Sequence, residues 1–195
     1  ANADIHEKTT AIEILNDFKE LGLDYWVSGY GTGGTFSGVS RVLREQSPKT
    51  KLVITEPENA QLVSSLITQK RNQDGSPAGA HDSWNPHPIQ GWTPDFIPLV
   101  LQESIDKNYF DMNIPVRGED GIYWSHQLAT NEGIITGISG GSTFAVAMKI
   151  AEEAPDDSNI LCMLADTAER YLTSILFEKI DSEMNDEENE ILNSI

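Results

Sequence analysis

One cysteine, Cys162, stands in a chain of 195 residues. No disulfide can form within the chain, and a reduced interior suits it. In the apolar run "NILCMLAD" this cysteine reads as a small buried hydrophobe. Basic residues are scarce: 13 Lys and Arg face 31 Asp and Glu, a formal charge of −18. Such a balance repels a nucleic-acid backbone, so no nucleic-acid partner is expected. No apolar run reaches the length of a membrane span, and no signal-peptide layout opens the chain. The expectation is a cytoplasmic protein with no membrane partner, an organellar address being left open. Ala1 is not an initiator Met, and "ANADIHEKTT" reads as mid-protein sequence. The chain is therefore expected to be part of a longer protein. His6, His81, His87 and His126 lack metal-ligand spacing, so no metal site is expected.

What is present is an alternation. Thr10 and Glu13 form a capping-box pattern ahead of Ile14, Leu15, Phe18 and Leu21, a helix ended by Gly22. "DYWVSG" reads as a strand and "TFSGVSRVLREQ" as a helix with Val39, Val42 and Leu43 inward. "KLVITEP" is a second strand, and "NAQLVSSLITQK" reads as helical. Residues 71–88, rich in Gly, Pro, Asn and Asp, form a long surface loop. Pro94 and Pro98 make "GWTPDFIPLVLQE" irregular. Then follow a strand in "NYFDMNIPV", a helix closed by Gly133, a strand "IITGIS", a helix "STFAVAMKIAEEA", a strand "NILCMLA" and a helix "ERYLTSILFEKI". Alternating strands and helices predict an α/β fold, a mostly parallel sheet with helices on both faces. The apolar strands suit double coverage. One domain over residues 1–180 is expected. "DSEMNDEENE", six acids and no base, opens an acidic, flexible tail over 181–195.

The most informative stretch is "GYGTGGTFSG", residues 29–38, between a strand and a helix. Ligands of parallel α/β sheets sit beyond the carboxyl ends of the strands. Glycines let backbone amides converge and remove the β-carbons that block a ligand, and the helix N-terminus adds partial positive charge. Gly31, Thr32, Gly33, Gly34 and Thr35 thus read as a phosphate cradle built without lysine or arginine. The pattern is neither a dinucleotide fingerprint nor a P-loop. "TGISGGS", residues 136–142, is a second strand-to-helix joint: Ser142 can cap the helix, and Ser139 is left to face a ligand.

Taken in order, "HEKTT", "SGYGTGGTFSGVSRVLRE", "ITEP", "HPIQG", "FIP", "EGIITGISGGSTFAVAMKIAEE" and "ERYLTSILF" resemble the cysteine synthase, or O-acetylserine sulfhydrylase, family from Ala1 to about Phe177. The resemblance implies the fold-type II, tryptophan synthase β-like architecture and the cofactor pyridoxal 5'-phosphate, the chain matching the C-terminal large domain. It implies that Gly31 to Thr35 hold the cofactor phosphate, that Ser139 faces the pyridine nitrogen, and that Gln90, Gly91 and Trp92 border the substrate pocket. A neutral hydroxyl at the ring nitrogen makes a weak electron sink and suits elimination followed by addition. The implied reaction is formation of L-cysteine from O-acetylserine and sulfide. The implied partners are a small amino-acid substrate, a second copy in a homodimer, and serine acetyltransferase. The family binds the C-terminal isoleucine of that last enzyme, and Ile195 is read as coincidence.

Departures open alternatives. No lysine from Lys8 to Lys179 sits in the motif of the family's cofactor lysine, so no catalytic residue is assigned and the isolated chain is expected to be inactive. "WTPD" (92–95) replaces three small residues of the family pattern, and Asp166 and Thr167 stand where its best-known members have serines. A cystathionine β-synthase-like enzyme and a non-catalytic phosphate-ligand-binding domain remain the rivals.

Overall fold

The computed structural model describes residues 2–181 and 183–194; Ala1, Ser182 and Ile195, discussed above, lie outside the described residues. Four strands form one sheet: β1 (Tyr25–Gly29), β2 (Lys51–Pro57), β3 (Met112–Val116) and β4 (Ile160–Cys162), in the order β3-β2-β1-β4. Every pairing is parallel, with Val27 opposite both Val53 and Cys162. Alternate side chains leave opposite faces of a strand. Trp26, Leu52 and Ile54 therefore enter one core, with Phe36, Val39 and Leu43, while Val27 and Val53 enter the other, with Ile138, Val146 and Ile150. The double coverage expected from the apolar strands is what the chain adopts.

One core is roofed by α1 (Asn2–Lys8), α2 (Thr10–Asp17), α3 (Gly34–Gln46) and α4 (Leu99–Asp106). Arg41 on α3 ties this layer together through Glu7 at 3.1 Å and through Glu103 on α4. The other core lies under α5 (Gly118–Gln127) and α6 (Ile138–Ala151). α5 runs into a π-helical turn, Leu128–Glu132, closed by Gly133 at φ 68°.

Several local expectations give way to side chains that capture the backbone. The capping box at Thr10 does not form, because Thr9 takes the N-cap position between α1 and α2 and the Thr10 hydroxyl pairs with Nδ1 of His6 at 3.0 Å. "NAQLVSSLITQK" is turns rather than a helix. The fully buried Glu56 carboxylate accepts the amides of Val63 (2.8 Å) and Ser64 (2.9 Å), along with the Tyr30 hydroxyl. α4 starts directly after Pro98, whose backbone is extended, inside the segment read as irregular. "IITGIS" is not a strand: Thr136 makes a single bridge to Thr167, and Gly137 already caps α6. "ERYLTSILFEKI" holds only a 3₁₀ turn, Ala168–Tyr171. His126 takes the Leu176 carbonyl at 2.6 Å, and the Ser174 hydroxyl takes that of Tyr171 at 2.6 Å. Within the acidic tail, α7 (Asp186–Asn193) has a complete capping box from Asn185 and Glu188 and buries no residue. No described helix is long and apolar enough to cross a membrane.

Candidate active site

The site is built at the carboxyl end of β1, the point where a parallel sheet leaves room for a ligand. There the chain turns through residues 30–33 into α3. Gly33 supplies the left-handed corner at φ 83°, where its α-carbon hydrogen faces Leu101 closely enough that a β-carbon would lie 2.7 Å from that side chain. The first turn of α3 carries no acidic residue, and the side-chain acceptor there among the described residues is the Thr32 hydroxyl, 3.4 Å from the Gly34 amide. The amides of Thr35 and Phe36 meet no acceptor among the described residues. Open amides with partial positive charge and no built-in anion are what an external anion requires.

A cavity of about 330 Å³ opens beside this turn. Gly31 and Thr35 form one wall, Gln90, Gly91 and Trp92 a second, and Ser139 with Thr143 on α6 a third. Six of the nine residues singled out from the sequence, counting Gly31, Thr35, Ser139, Gln90, Gly91 and Trp92, thus share one cavity. Thr32, Gly33 and Gly34 belong to the same turn but not to the wall. The Thr32 hydroxyl accepts from the Asn2 amide at 2.7 Å, and Gly34 packs on the Asn2 side chain. The walls approach closely: a β-carbon at Gly31 would lie 2.3 Å from the Gly91 carbonyl oxygen, and one at Gly29 would lie 2.0 Å from the Trp92 indole. The segment carrying Trp92 is pinned by the Thr93 amide, which donates to the Tyr30 carbonyl at 2.8 Å. Ser139 is buried, and its hydroxyl meets no partner among the described residues. Ser142 does not cap α6; it bonds back to the Ile138 carbonyl at 2.8 Å.

The ionisable lining residues escaped the sequence reading as site groups. His6, on α1, places Nε2 3.2 Å from the Thr35 hydroxyl. Its contact crosses 29 residues, and no spacing rule reaches that far. Asp166 and Tyr171 line the opposite side, the Tyr171 hydroxyl donating to Oδ2 of Asp166. Burial, and then the neighbouring carboxylate, push the Tyr171 phenol up to about 12. Asp166 was visible as a departure from a resembled motif, but its place in the cavity was not. No lysine lines the cavity among the described residues. His81 and His87 each direct a ring nitrogen to a backbone carbonyl, of Ile67 (3.0 Å) and Thr93 (3.1 Å).

Parallel α/β architecture, with a helix N-terminus and an open cavity at the carboxyl end of the sheet, is the arrangement in which domains of this class seat a ligand. Residues 1–166 match the family described as "Pyridoxal-phosphate dependent enzyme", and the chain belongs to that family. It is 41% identical over 186 residues to O-ureido-L-serine synthase of Streptomyces lavendulae, covering 95% of this chain and 51% of the relative. A crystal structure of O-ureido-L-serine synthase superposes with a TM-score of 0.81 at 39% identity, over 95% of this chain and 52% of that one. Cysteine synthase B of Campylobacter jejuni is 40% identical over 177 residues, 91% of this chain and 52% of the relative. The O-acetylserine dependent cystathionine beta-synthase of Helicobacter pylori superposes with a TM-score of 0.72 at 30% identity, over 90% and 50% of the two chains. The chain thus spans about half the length of the relatives it matches. The family's cofactor is pyridoxal phosphate, and the residues present fit its dianionic end: unpaired amides at α3, no acid in its first turn, and a wall that a β-carbon at Gly31 would close.

Proposed function

We propose that this chain is the phosphate-holding part of an enzyme that replaces the β-substituent of an O-substituted L-serine with a nucleophile. The observation that carries the reading is the meeting of the α3 N-terminus, Gln90 and Ser139 around one cavity in a member of this family. When bound, pyridoxal phosphate supplies the electron sink that loosens the substrate's Cα–H bond. The chain's own residues do the rest. The turn from Gly31 to Thr35 holds the phosphate, with amides that need no reorganisation. His6 fixes the rotation of the Thr35 hydroxyl. Gln90, Gly91 and Trp92 border the substrate, and the indole excludes water from the Gly29 side. No lysine of the cavity wall can hold the cofactor's aldehyde, so the Schiff-base lysine is assigned outside these residues, and the chain alone is expected to bind without turnover.

On this reading the primary nucleophile is sulfide and the product L-cysteine; a relative named cysteine synthase supports the product. A second reading is favoured by the 41% identity to O-ureido-L-serine synthase: a nucleophile whose oxygen ends up on the serine side chain, such as hydroxyurea. The intact gene product, loaded with pyridoxal phosphate, should convert O-acetyl-L-serine with sulfide to cysteine. Parallel assays with hydroxyurea and with homocysteine rank the alternatives by kcat/KM. A loaded protein that consumes O-acetyl-L-serine with none of the three sinks the reading. Turnover by residues 1–195 alone sinks the lysine assignment. A homodimer is proposed with it, and equilibrium sedimentation of the gene product tests that.

A further inference from the structure

The Thr10 hydroxyl has no capping duty and meets a ring nitrogen instead. Thr9 takes the N-cap position of α2, and its own hydroxyl donates to the Ile5 carbonyl at 2.7 Å. Thr10 Oγ1 lies 3.0 Å from Nδ1 of His6, its partner among the described residues. The far nitrogen of the same ring, Nε2, lies 3.2 Å from Oγ1 of Thr35. Side chains from α2, α1 and α3 thus stand in one row. It ends on the cavity wall, which His6 and Thr35 line and Thr10 does not. The backbones beneath hold the row in place. α1 lies directly on α3: a β-carbon at Gly38 would come within 2.3 Å of the Ala3 carbonyl oxygen and 2.9 Å of the His6 β-carbon. Arg41 on α3 pairs at 3.1 Å with Glu7, the residue after His6.

A neutral imidazole donates from one nitrogen and accepts at the other, and a hydroxyl has one hydrogen to give. The row can therefore run in two directions. If Nε2 accepted from Thr35, that hydrogen would be used on the ring, and the Thr35 oxygen would turn its lone pairs to the cavity. If Nδ1 accepts from Thr10 instead, Nε2–H donates to Thr35, and the Thr35 hydrogen has no acceptor among the described residues. Thr35 is the second residue of α3, and its amide is one of those left open. An anion that accepts from this amide sits beside the same residue's side chain. It repels lone pairs and welcomes a hydrogen. We propose that Thr10 and His6 are positioning residues for the cofactor's phosphate, forming a directed relay in which Thr10 donates to His6, His6 to Thr35 and Thr35 to the phosphate; this rests on the reading of the cavity as the pyridoxal phosphate site. Each donor in such a chain polarises the next. The cradle, which has no lysine or arginine, thereby gains a hydroxyl donor whose direction is set two side chains away.

The first test labels the histidines of the intact gene product with ¹⁵N, loads the protein with pyridoxal phosphate and reads the two ring nitrogens of His6, assigned through bonds. Nε2 should stand at the protonated position and Nδ1 at the unprotonated one. A reversed or mixed assignment overturns the relay, while the bound cofactor leaves the reading of the cavity intact. This measurement needs no substitution, so a variant that folds poorly cannot blur it. The second test is a double-mutant cycle on cofactor affinity, measured by equilibrium titration. T35V should lose roughly tenfold and T10V roughly threefold, with T10S close to the parent protein. In the T35V background T10V should cost nothing further, because its effect passes through the Thr35 hydroxyl. Additive losses in the double variant, or a T10S that binds no better than T10V, overturn the proposal. A gene product that takes up no pyridoxal phosphate overturns the relay and the cavity reading together.

Discussion

At the residue scale the molecule spends its most demanding chemistry on a few isolated groups. Glu56 is fully buried yet accepts from Tyr30, Val63, Ser64 (amide and hydroxyl) and Asn113, so its carboxylate is satisfied from every side. Replacing it with Gln turns one acceptor oxygen into a donor facing other donors. Glu56→Gln should lower unfolding free energy by ~2–4 kcal/mol, measured by urea unfolding; a change under about 0.5 kcal/mol would mean the site relaxes freely. Gly31→Ala forces its neighbour Gly91 to move, since backbone cannot swing aside as a long side chain can. Pyridoxal phosphate uptake should fall at least tenfold, and equilibrium titration against the parent decides it. Cys162, the only thiol, is held at about 11 by burial. Its thiolate is scarce at pH 8, so the folded chain should react with a disulfide reagent far more slowly than the urea-unfolded chain. Equal rates in the two states would contradict the burial. The Tyr171 phenol gives a pH signature of its own. Its folded value lies above its unfolded value near 10, so its contribution to stability is complete below pH 10 and is lost as pH rises through about 12.

At the element scale, what was legible was what repeats along the chain. β1, β2, α3 and α6 announce themselves by apolar periodicity, and the glycine turn announces itself by composition; all sit close to where the sequence puts them. What was not legible depends on single side chains beyond the reach of helical spacing. Glu56 unwinds the segment after Ala60, and His126 disrupts the helix expected after Glu169. Both are side-chain hydrogen bonds to the backbone, spanning 7 and 8 residues in the first case and 50 in the second, that outweigh modest helix propensity, worth tenths of a kcal/mol per residue. The cavity was readable through the strand ends, but its His6 and Asp166 walls were not, for they arrive from α1 and from the loop after β4. α7 makes the complementary case: its capping box was in the letters "NDEE", yet a run of acids read as tail. Asn185→Ala should cost ~1 kcal/mol in local helix stability and erase the amide protection of residues 188–190 in hydrogen exchange. The global unfolding midpoint should stay put, because α7 buries nothing.

At the scale of the whole molecule, the −18 charge and the local amides pull in opposite directions. A dianion approaching from solution meets a chain of net charge −18, and at α3 it meets open backbone amides. Salt screens the field over about 10 Å at 0.1 M, but acts less on amides at contact. Cofactor association should therefore accelerate with added sodium chloride, read by stopped-flow, and slow with added inorganic phosphate, which competes at the same amides. Acceleration by both salts alike would point to screening without a phosphate seat. The indole that leans on Gly29 turns this same arrangement into a light source. Trp26 packs at a tilt against Phe36 in the core under α3, while Trp84 and Trp124 are away from the cavity wall. Of the chain's four tryptophans, then, one alone lines the cavity, and if that cavity is the cofactor seat proposed above, quenching of its emission would count arriving cofactor without a label.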